Sequence, residues 1–158
     1  PYLFKGYFRE DRPTEKLRDG WYRSGDLGFL DDGELFVCGR VDDLLIVNGK
    51  NLYAHDVEFS VNRVPGVKPG RAVAVAPFSP RTGSQVLIII AETETIEKEL
   101  RLQLRRAVQA QIQSDFGMAA HDVLINDVGW LIKTTSGKIA RGANEQRYVA
   151  QFPAVLAG

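Results

Sequence analysis

The spacing of apolar side chains changes along the chain, and the changes mark out its elements. Phe29, Leu30, Leu35, Phe36 and Val37 flank the turn sequence Asp31-Asp32-Gly33, which predicts a β-hairpin over about residues 27–38. A second pair follows, with Asp43–Val47 as one strand, Asn48-Gly49 as the turn and Asn51–Tyr53 as the return. Val57 and Val61, four apart, predict a short helix from His55/Asp56 to Arg63 that Pro65-Gly66 stops. Val73–Ala76 and Gln85–Ala91 read as two strands joined by the polar turn 79–84, hence an antiparallel hairpin. Within the second strand, Leu87-Ile88-Ile89-Ile90 shows no alternation, as expected of a central strand buried on both faces.

Ile96, Leu100, Leu104, Val108, Ile112 and Phe116 recur at every fourth position and predict the longest helix, about Ile96–Phe116. Thr95 is the expected cap and Gly117 the stop. A strict four-residue repeat drifts about 40° per step on a 3.6-residue helix, so the stripe runs obliquely. Val123–Ile125 is a late strand, Thr134–Gly137 a loop and Ala140–Phe152 a final helix. Residues 1–20 read as irregular or weakly helical, with Asp19-Gly20 a turn and Trp21–Ser24 extended. This order of elements predicts an α+β fold. Arg40-Val41-Asp42-Asp43, between the two hairpins, is the expected domain boundary.

Charge narrows the partners. The 158 residues carry 20 Lys+Arg against 20 Asp+Glu, and a zero balance argues against a general nucleic-acid or anionic-membrane binder. The longest apolar run, Val86–Ala91, is far short of the ~20 residues that cross a bilayer. Charges occupy the N-terminal segment where a signal peptide needs its apolar stretch, so a cytoplasmic protein is expected. A lone cysteine, Cys38, and two histidines, His55 and His121, give no zinc spacing, and both histidines are expected at the surface. Phe4, Tyr7, Phe8, Trp21 and Tyr22 have no evident partner layer, which suggests a piece of a longer protein and possible self-association.

Three clusters could carry chemistry. In Tyr22-Arg23-Ser24-Gly25-Asp26-Leu27, an Asp at a strand end can accept two hydrogen bonds from a ribose diol, or simply cap loop amides. In Gly39-Arg40-Val41-Asp42-Asp43, Arg40 can bind phosphate or ribose oxygens, or form a surface ion pair of little energy. Thr134-Thr135-Ser136-Gly137-Lys138-Ile139 is not a P-loop, because Ile132 stands at the first glycine and Ile139 at the hydroxyl position. Lys138 is expected on a flexible, hydroxyl-rich loop that could carry one cation into a site formed elsewhere, or stay solvated. No nucleophile context surrounds Ser24, Ser136 or Cys38, which disfavours a hydrolase.

Taken together and in order, the clusters resemble the C-terminal part of the acyl-adenylate-forming ligases: acyl-CoA synthetases, peptide-synthetase adenylation domains and fatty-acyl-AMP ligases. Tyr22–Leu27 looks like the Y-R-T-G-D-L motif of that family. Gly39–Asp42, Asn48–Asn51 and Asp56-Val57-Glu58 resemble its hinge-and-loop motif, and Thr134–Arg141 its P-K-T-x-S-G-K-I-x-R motif. The resemblance runs from about residue 5 to 148. Asp42–Tyr53, Asp56–Glu58 and Arg147-Tyr148 look most like fatty-acyl-AMP ligases. Two positions depart from the pattern: Ile132 and Ala54 each stand where the family has proline.

The resemblance implies a ligase that activates a carboxylic acid, expected to be fatty, as acyl-AMP with ATP and Mg2+. It would then pass the acyl group to the phosphopantetheine thiol of an acyl carrier protein, as in polyketide or lipopeptide biosynthesis. Residues 1–41 would be the β-rich tail of a large adenylating domain that also holds most of the ATP and Mg2+ contacts. Residues 42–158 would be a mobile domain with a short, mainly antiparallel sheet flanked by helices. Asp26 would bind the ribose hydroxyls with Arg40 assisting, Asp42 would be the hinge, Lys138 the catalytic cation and Gly49 part of the pantetheine path. Alternatives are an acyl-CoA synthetase using free coenzyme A and a non-catalytic module that docks a carrier protein or partner.

Overall fold

The computed structural model describes residues 17–157. Its contacts divide the chain into two compact units, Pro1–Asp43 and Leu44–Gly158. In the first, β1 (Leu17–Arg18) pairs antiparallel with β2 (Trp21–Tyr22) across the turn Asp19-Gly20. A strand thus replaces the irregular chain expected at 17–18, while Phe4, Tyr7 and Phe8 lie outside the described residues. Next, β3 (Asp26–Asp31) and β4 (Glu34–Arg40) form the expected hairpin, with Asp32 and Gly33 at φ 47° and 83°. Both values are left-handed, which matches the twist of the flanking strands. A Cβ on Gly28 would lie 2.6 Å from the Phe36 carbonyl oxygen, so the bulge at Leu27/Gly28 requires glycine. Phe29 stacks on Phe36 with centroids 5.1 Å apart.

The second unit opens with the hairpin of β5 (Leu44–Val47) and β6 (Lys50–Tyr53), then α1 (Ala54–Asn62) and β7 (Ala72–Val75). A small antiparallel pair, β8 (Phe78–Ser79) and β9 (Ser84–Gln85), leads into β10 (Ile88–Thr93). After α2 (Lys98–Phe116) come β11 (Asp122–Asp127), α3 (Arg141–Gln151) and α4 (Pro153–Ala157). The main sheet has the order β11-β10-β7. β10 runs antiparallel to β7 and parallel to β11, with α2 in the connection between the parallel strands. That parallel pairing joins segments distant in sequence, and the local pattern did not show it.

β10 is buried along its whole length, and alternate side chains enter two cores. Leu87, Ile89 and Ala91 pack with Val57 and Val61 of α1 and with Leu104, Val108 and Ile112 of α2. Val86, Ile88 and Ile90 pack with Leu131, Tyr148 and Leu156. The sheet is therefore covered on both faces, as the unalternating run required.

The long helix is shorter than its apolar repeat. Thr95 is tied into a turn, its N–H donated to Thr93 Oγ1 at 3.2 Å and its carbonyl accepting Arg101 Nε at 2.7 Å. Helix α2 starts only at Lys98, and Ile96 is left 85% exposed. Gly117, at φ 65°, ends it as expected. His121 is not a free surface residue: its Nε2 lies 2.9 Å from the Val155 carbonyl and ties α4 to the start of β11. Tyr148, fully buried, donates its hydroxyl to Asp122 Oδ2 at 2.7 Å, and Arg105 donates to the other Asp122 oxygen at 2.7 Å.

Ile90→Ala should destabilise the second unit by about 2–5 kcal/mol, read as a lower urea midpoint with unchanged slope. Burial, then the Asp122 hydrogen bond, push the Tyr148 phenol far above its ordinary value. The folded state keeps a proton that the unfolded chain releases near pH ~10, so this contribution is whole below that pH and is lost as pH rises, at about 1.4 kcal/mol per unit. Tyr148→Phe should lose stability less steeply than the parent between about pH 10 and 11. Urea melts at both values test it, and equal slopes would show that Tyr148 ionises normally.

Candidate functional site

In the first unit, hairpin register brings two expected site residues together. Asp26 and Arg40 are direct cross-strand partners, with Asp26 Oδ1 3.5 Å from Arg40 Nε and both side chains about half exposed. Arg40 Nη2 donates to the Ser24 carbonyl at 3.2 Å, and the Asp26 N–H donates to Ser24 Oγ at 3.1 Å. Gly25, at φ 84°, turns the chain at this point, and its carbonyl accepts the Val41 N–H at 2.8 Å. The result is an open cleft of about 660 Å³ lined by Tyr22, Arg23, Ser24, Gly25, Asp26, Val41 and Asp42. Chemically it offers a carboxylate acceptor beside a guanidinium donor, a pair suited to hydroxyl and phosphate oxygens. Asp42 is exposed in the middle of the 3-10 turn Val41–Asp43, next to the division between the units.

The other two site residues lie in the second unit, each on its own turn. Gly49 is exposed at φ 76° beside Asn48 at φ 49°, between β5 and β6. Asn48 Oδ1 accepts Ser84 Oγ–H at 3.2 Å, which links this turn to β9.

Lys138 is exposed, but its backbone is not loose. Lys133 and Ile139 form an antiparallel bridge, and the Thr134 N–H donates to the Lys138 carbonyl at 2.7 Å. The Gly137 N–H donates to the Thr134 carbonyl at 2.9 Å, and the Lys138 N–H to Thr134 Oγ1 at 3.2 Å. The hydroxyl-rich loop is thus closed into a one-turn hairpin by its own hydrogen bonds. Gly137, at φ 82°, supplies the left-handed residue that the turn requires.

Residues that sequence reasoning left without a role hold this hairpin. Asn144, fully buried on α3, accepts the Ile132 N–H at 2.8 Å and donates to the carbonyls of Ile132 and Ala140 at 2.9 Å each. Glu92, fully buried on β10, accepts the N–H groups of Gly129 and Leu131 at 2.9 and 2.6 Å. Arg147 donates to the Trp130 carbonyl at 2.5 Å and lies 4.3 Å from the centre of its ring. Arg141 meets Glu58 Oε1 at 3.0 Å, and the same oxygen accepts the Ala74 N–H at 3.0 Å, so α3 is tied to α1 and β7. One signal was available: Asn144 precedes Tyr148 by one helical turn and so shares its buried face.

No protein-family model matches the chain. It is 35% identical over 160 residues to a long-chain-fatty-acid–AMP ligase of Mycobacterium tuberculosis, covering 90% of this chain and 27% of that protein. Among solved structures, one of the fatty acyl-adenylate ligases from E. coli and L. pneumophila matches with TM-score 0.73 and 34% identity, over 87% of this chain and 24% of that one. The McyG A-PCP structure complexed with phenylalanyl-adenylate matches with TM-score 0.75 and 30% identity, over 88% of this chain and 22% of that one. The chain thus spans about a quarter of the length of these relatives. Sequence and fold together place the chain among the acyl-adenylate-forming ligases, where it corresponds to their C-terminal portion.

Proposed function

We propose that the chain is the C-terminal part of an enzyme that activates a fatty carboxylic acid as acyl-AMP and passes the acyl group to a carrier-protein thiol. The observation that carries the reading is Lys138, an exposed ammonium on a turn closed by its own hydrogen bonds. In the first half-reaction a carboxylate oxygen attacks the α-phosphorus of ATP, the bond to the bridging β-phosphate oxygen breaks, and pyrophosphate leaves. Negative charge builds on the α-phosphate oxygens, and a lysine presented only then stabilises the transition state more than the ground state. In the second, the thiol sulfur attacks the acyl carbon, AMP leaves, and the thiol proton passes to solvent.

Asp26 is assigned to the ribose hydroxyls, with Arg40 assisting, and Asp42 to the hinge. Gly49 is assigned to the phosphopantetheine path. Residues 1–41 are assigned to the tail of the adenylating domain and 42–158 to the mobile domain. ATP would arrive with Mg2+. Among the described residues no cluster of three or more His, Cys, Asp or Glu could hold a metal ion.

The McyG structure contains a PCP, which supports a carrier protein as acceptor over free coenzyme A. A second reading, a docking module, draws on the hairpin β3–β4, where Phe29, Leu30, Leu35, Phe36 and Val37 are all exposed. Their alternation puts Phe29 and Phe36 on one face of the hairpin and Leu30, Leu35 and Val37 on the other, and apolar surface of that kind is normally covered.

In the full-length enzyme, Lys138→Ala should slow pyrophosphate release by about 10²–10³, with little change in the KM for ATP. The same variant, given preformed acyl-AMP, should still acylate a carrier protein at near the parental rate. Adenylation at the parental rate would remove Lys138 from the mechanism. A competition between carrier protein and coenzyme A for the acyl group identifies the acceptor, and preference for coenzyme A would favour the acyl-CoA synthetase alternative.

A further inference from the structure

Lys138 sits on an excursion that leaves the body of the unit at Ile132 and returns at Ala140. Seven residues, 133–139, lie between these points. The approach is fixed residue by residue: Gly129 and Leu131 by Glu92, and Trp130 by Arg147. At the base, the Ala140 N–H donates to the Ile132 carbonyl at 3.0 Å. The buried side-chain amide of Asn144 makes three more hydrogen bonds at the base, and the Asn144 backbone N–H donates to the Ala140 carbonyl at 3.0 Å.

We infer that Asn144 is the positioning residue for Lys138, its amide setting the direction in which the turn presents the ammonium group. The inference rests on the catalytic reading of Lys138 given above. The chemistry of the base selects the residue type. Oδ1 must accept the Ile132 N–H while Nδ2 donates to two carbonyls, at Ile132 and Ala140. An amide does both at once; a carboxylate lacks the donors, and an aliphatic side chain lacks both. The Asn144 side chain is fully buried while Ile132 and Ala140 are not, so an aliphatic replacement removes all three bonds and puts no polar group in their place. The turn is short, and a small opening at its base moves its tip. Displacements of about 1 Å at a reacting group can cost about 10²-fold in rate.

A double-mutant cycle in the full-length enzyme tests this. Asn144→Leu should lower the rate constant for pyrophosphate release about 10- to 100-fold while the KM for ATP stays within about threefold. In a Lys138→Ala background the same substitution should have no further effect, because the group it positions is gone. An equal loss in both backgrounds would make Asn144 a structural residue only, and an unchanged rate with Lys138 present would equally overturn the inference. Should Lys138→Ala by itself leave pyrophosphate release intact, the catalytic reading fails first and the inference with it. If the leucine variant does not fold, Asn144→Asp is run through the same cycle, since it keeps the acceptor for Ile132 and loses both donated bonds.

Discussion

A carboxyl group with no solvent exposure stands near the end of the most buried strand, and much of the second unit is arranged around it. Glu92 takes backbone N–H groups from Gly129 and Leu131 on one oxygen and faces Arg71 Nη1 at 3.5 Å with the other. Its own carbonyl accepts the Lys68 N–H at 2.8 Å, and its N–H donates to the Arg71 carbonyl at 2.9 Å. Oε1 is satisfied by two hydrogen bonds, whereas the buried Oε2 makes none and has only the Arg71 guanidinium beside it; a buried carboxylate is tolerated only with such partners in place. The partners come from the segment after α1 and the segment after β11, so satisfying Glu92 brings both to the same end of β10. The second of these segments leads directly into the Lys138 turn. Core packing and site geometry therefore share one anchor.

This anchoring changes what motion can mean here. A lysine on a slack loop could reach a distant site by loop flexing alone. Lys138 is held by the Thr134 bonds, by the Ile132–Ala140 base and by Asn144, so its turn moves with the body that carries it. In the proposed reaction, then, delivery of the ammonium falls to the hinge at Asp42 and not to the turn. The backbone change demanded of a hinge is readily absorbed by a short 3-10 turn whose Val41 and Asp42 side chains are exposed. A rigid carrier on a mobile joint also presents the cation in one orientation, which electrostatic stabilisation of a transition state requires.

The parts of the fold legible in the sequence were those set by neighbours in sequence. Asp32-Gly33 and Asn48-Gly49 specify their hairpins because each turn needs two left-handed residues. The Leu87–Ile90 run announced a strand covered on both sides. The pairing of β10 with β11 was not legible, since nothing in Val123–Ile125 says which strand it joins or in which direction. Ile96 misled because its spacing suits α2, while Thr93 and Arg101 take up the polar groups of Thr95 and delay the helix start. At the candidate site, Asp26, Arg40, Asp42, Gly49 and Lys138 stood out as residue types in motifs. The cross-strand register of Asp26 with Arg40, and the supports of Lys138, did not. Those supports are bonds from buried side chains to backbone groups, and backbone groups carry no signature in a sequence.

The two departures from the resembling motifs have unequal physical weight. Ala54 is the first residue of α1, where the backbone N–H has no partner within the helix. Proline and alanine are both acceptable there, so the replacement needs no compensation. Ile132 is different, because its N–H donates to Asn144 Oδ1. A proline has no N–H and could not make that bond. At the base of the lysine turn, proline would stiffen the chain through its ring; this protein fixes the same point through an isoleucine amide gripped by an asparagine. The two residues form one device. Asn144 without a donor at position 132 would leave Oδ1 unsatisfied in the interior, and Ile132 without Asn144 would leave a partly buried N–H unpaired. The loss of proline at 132 is therefore intelligible only together with the amide on α3.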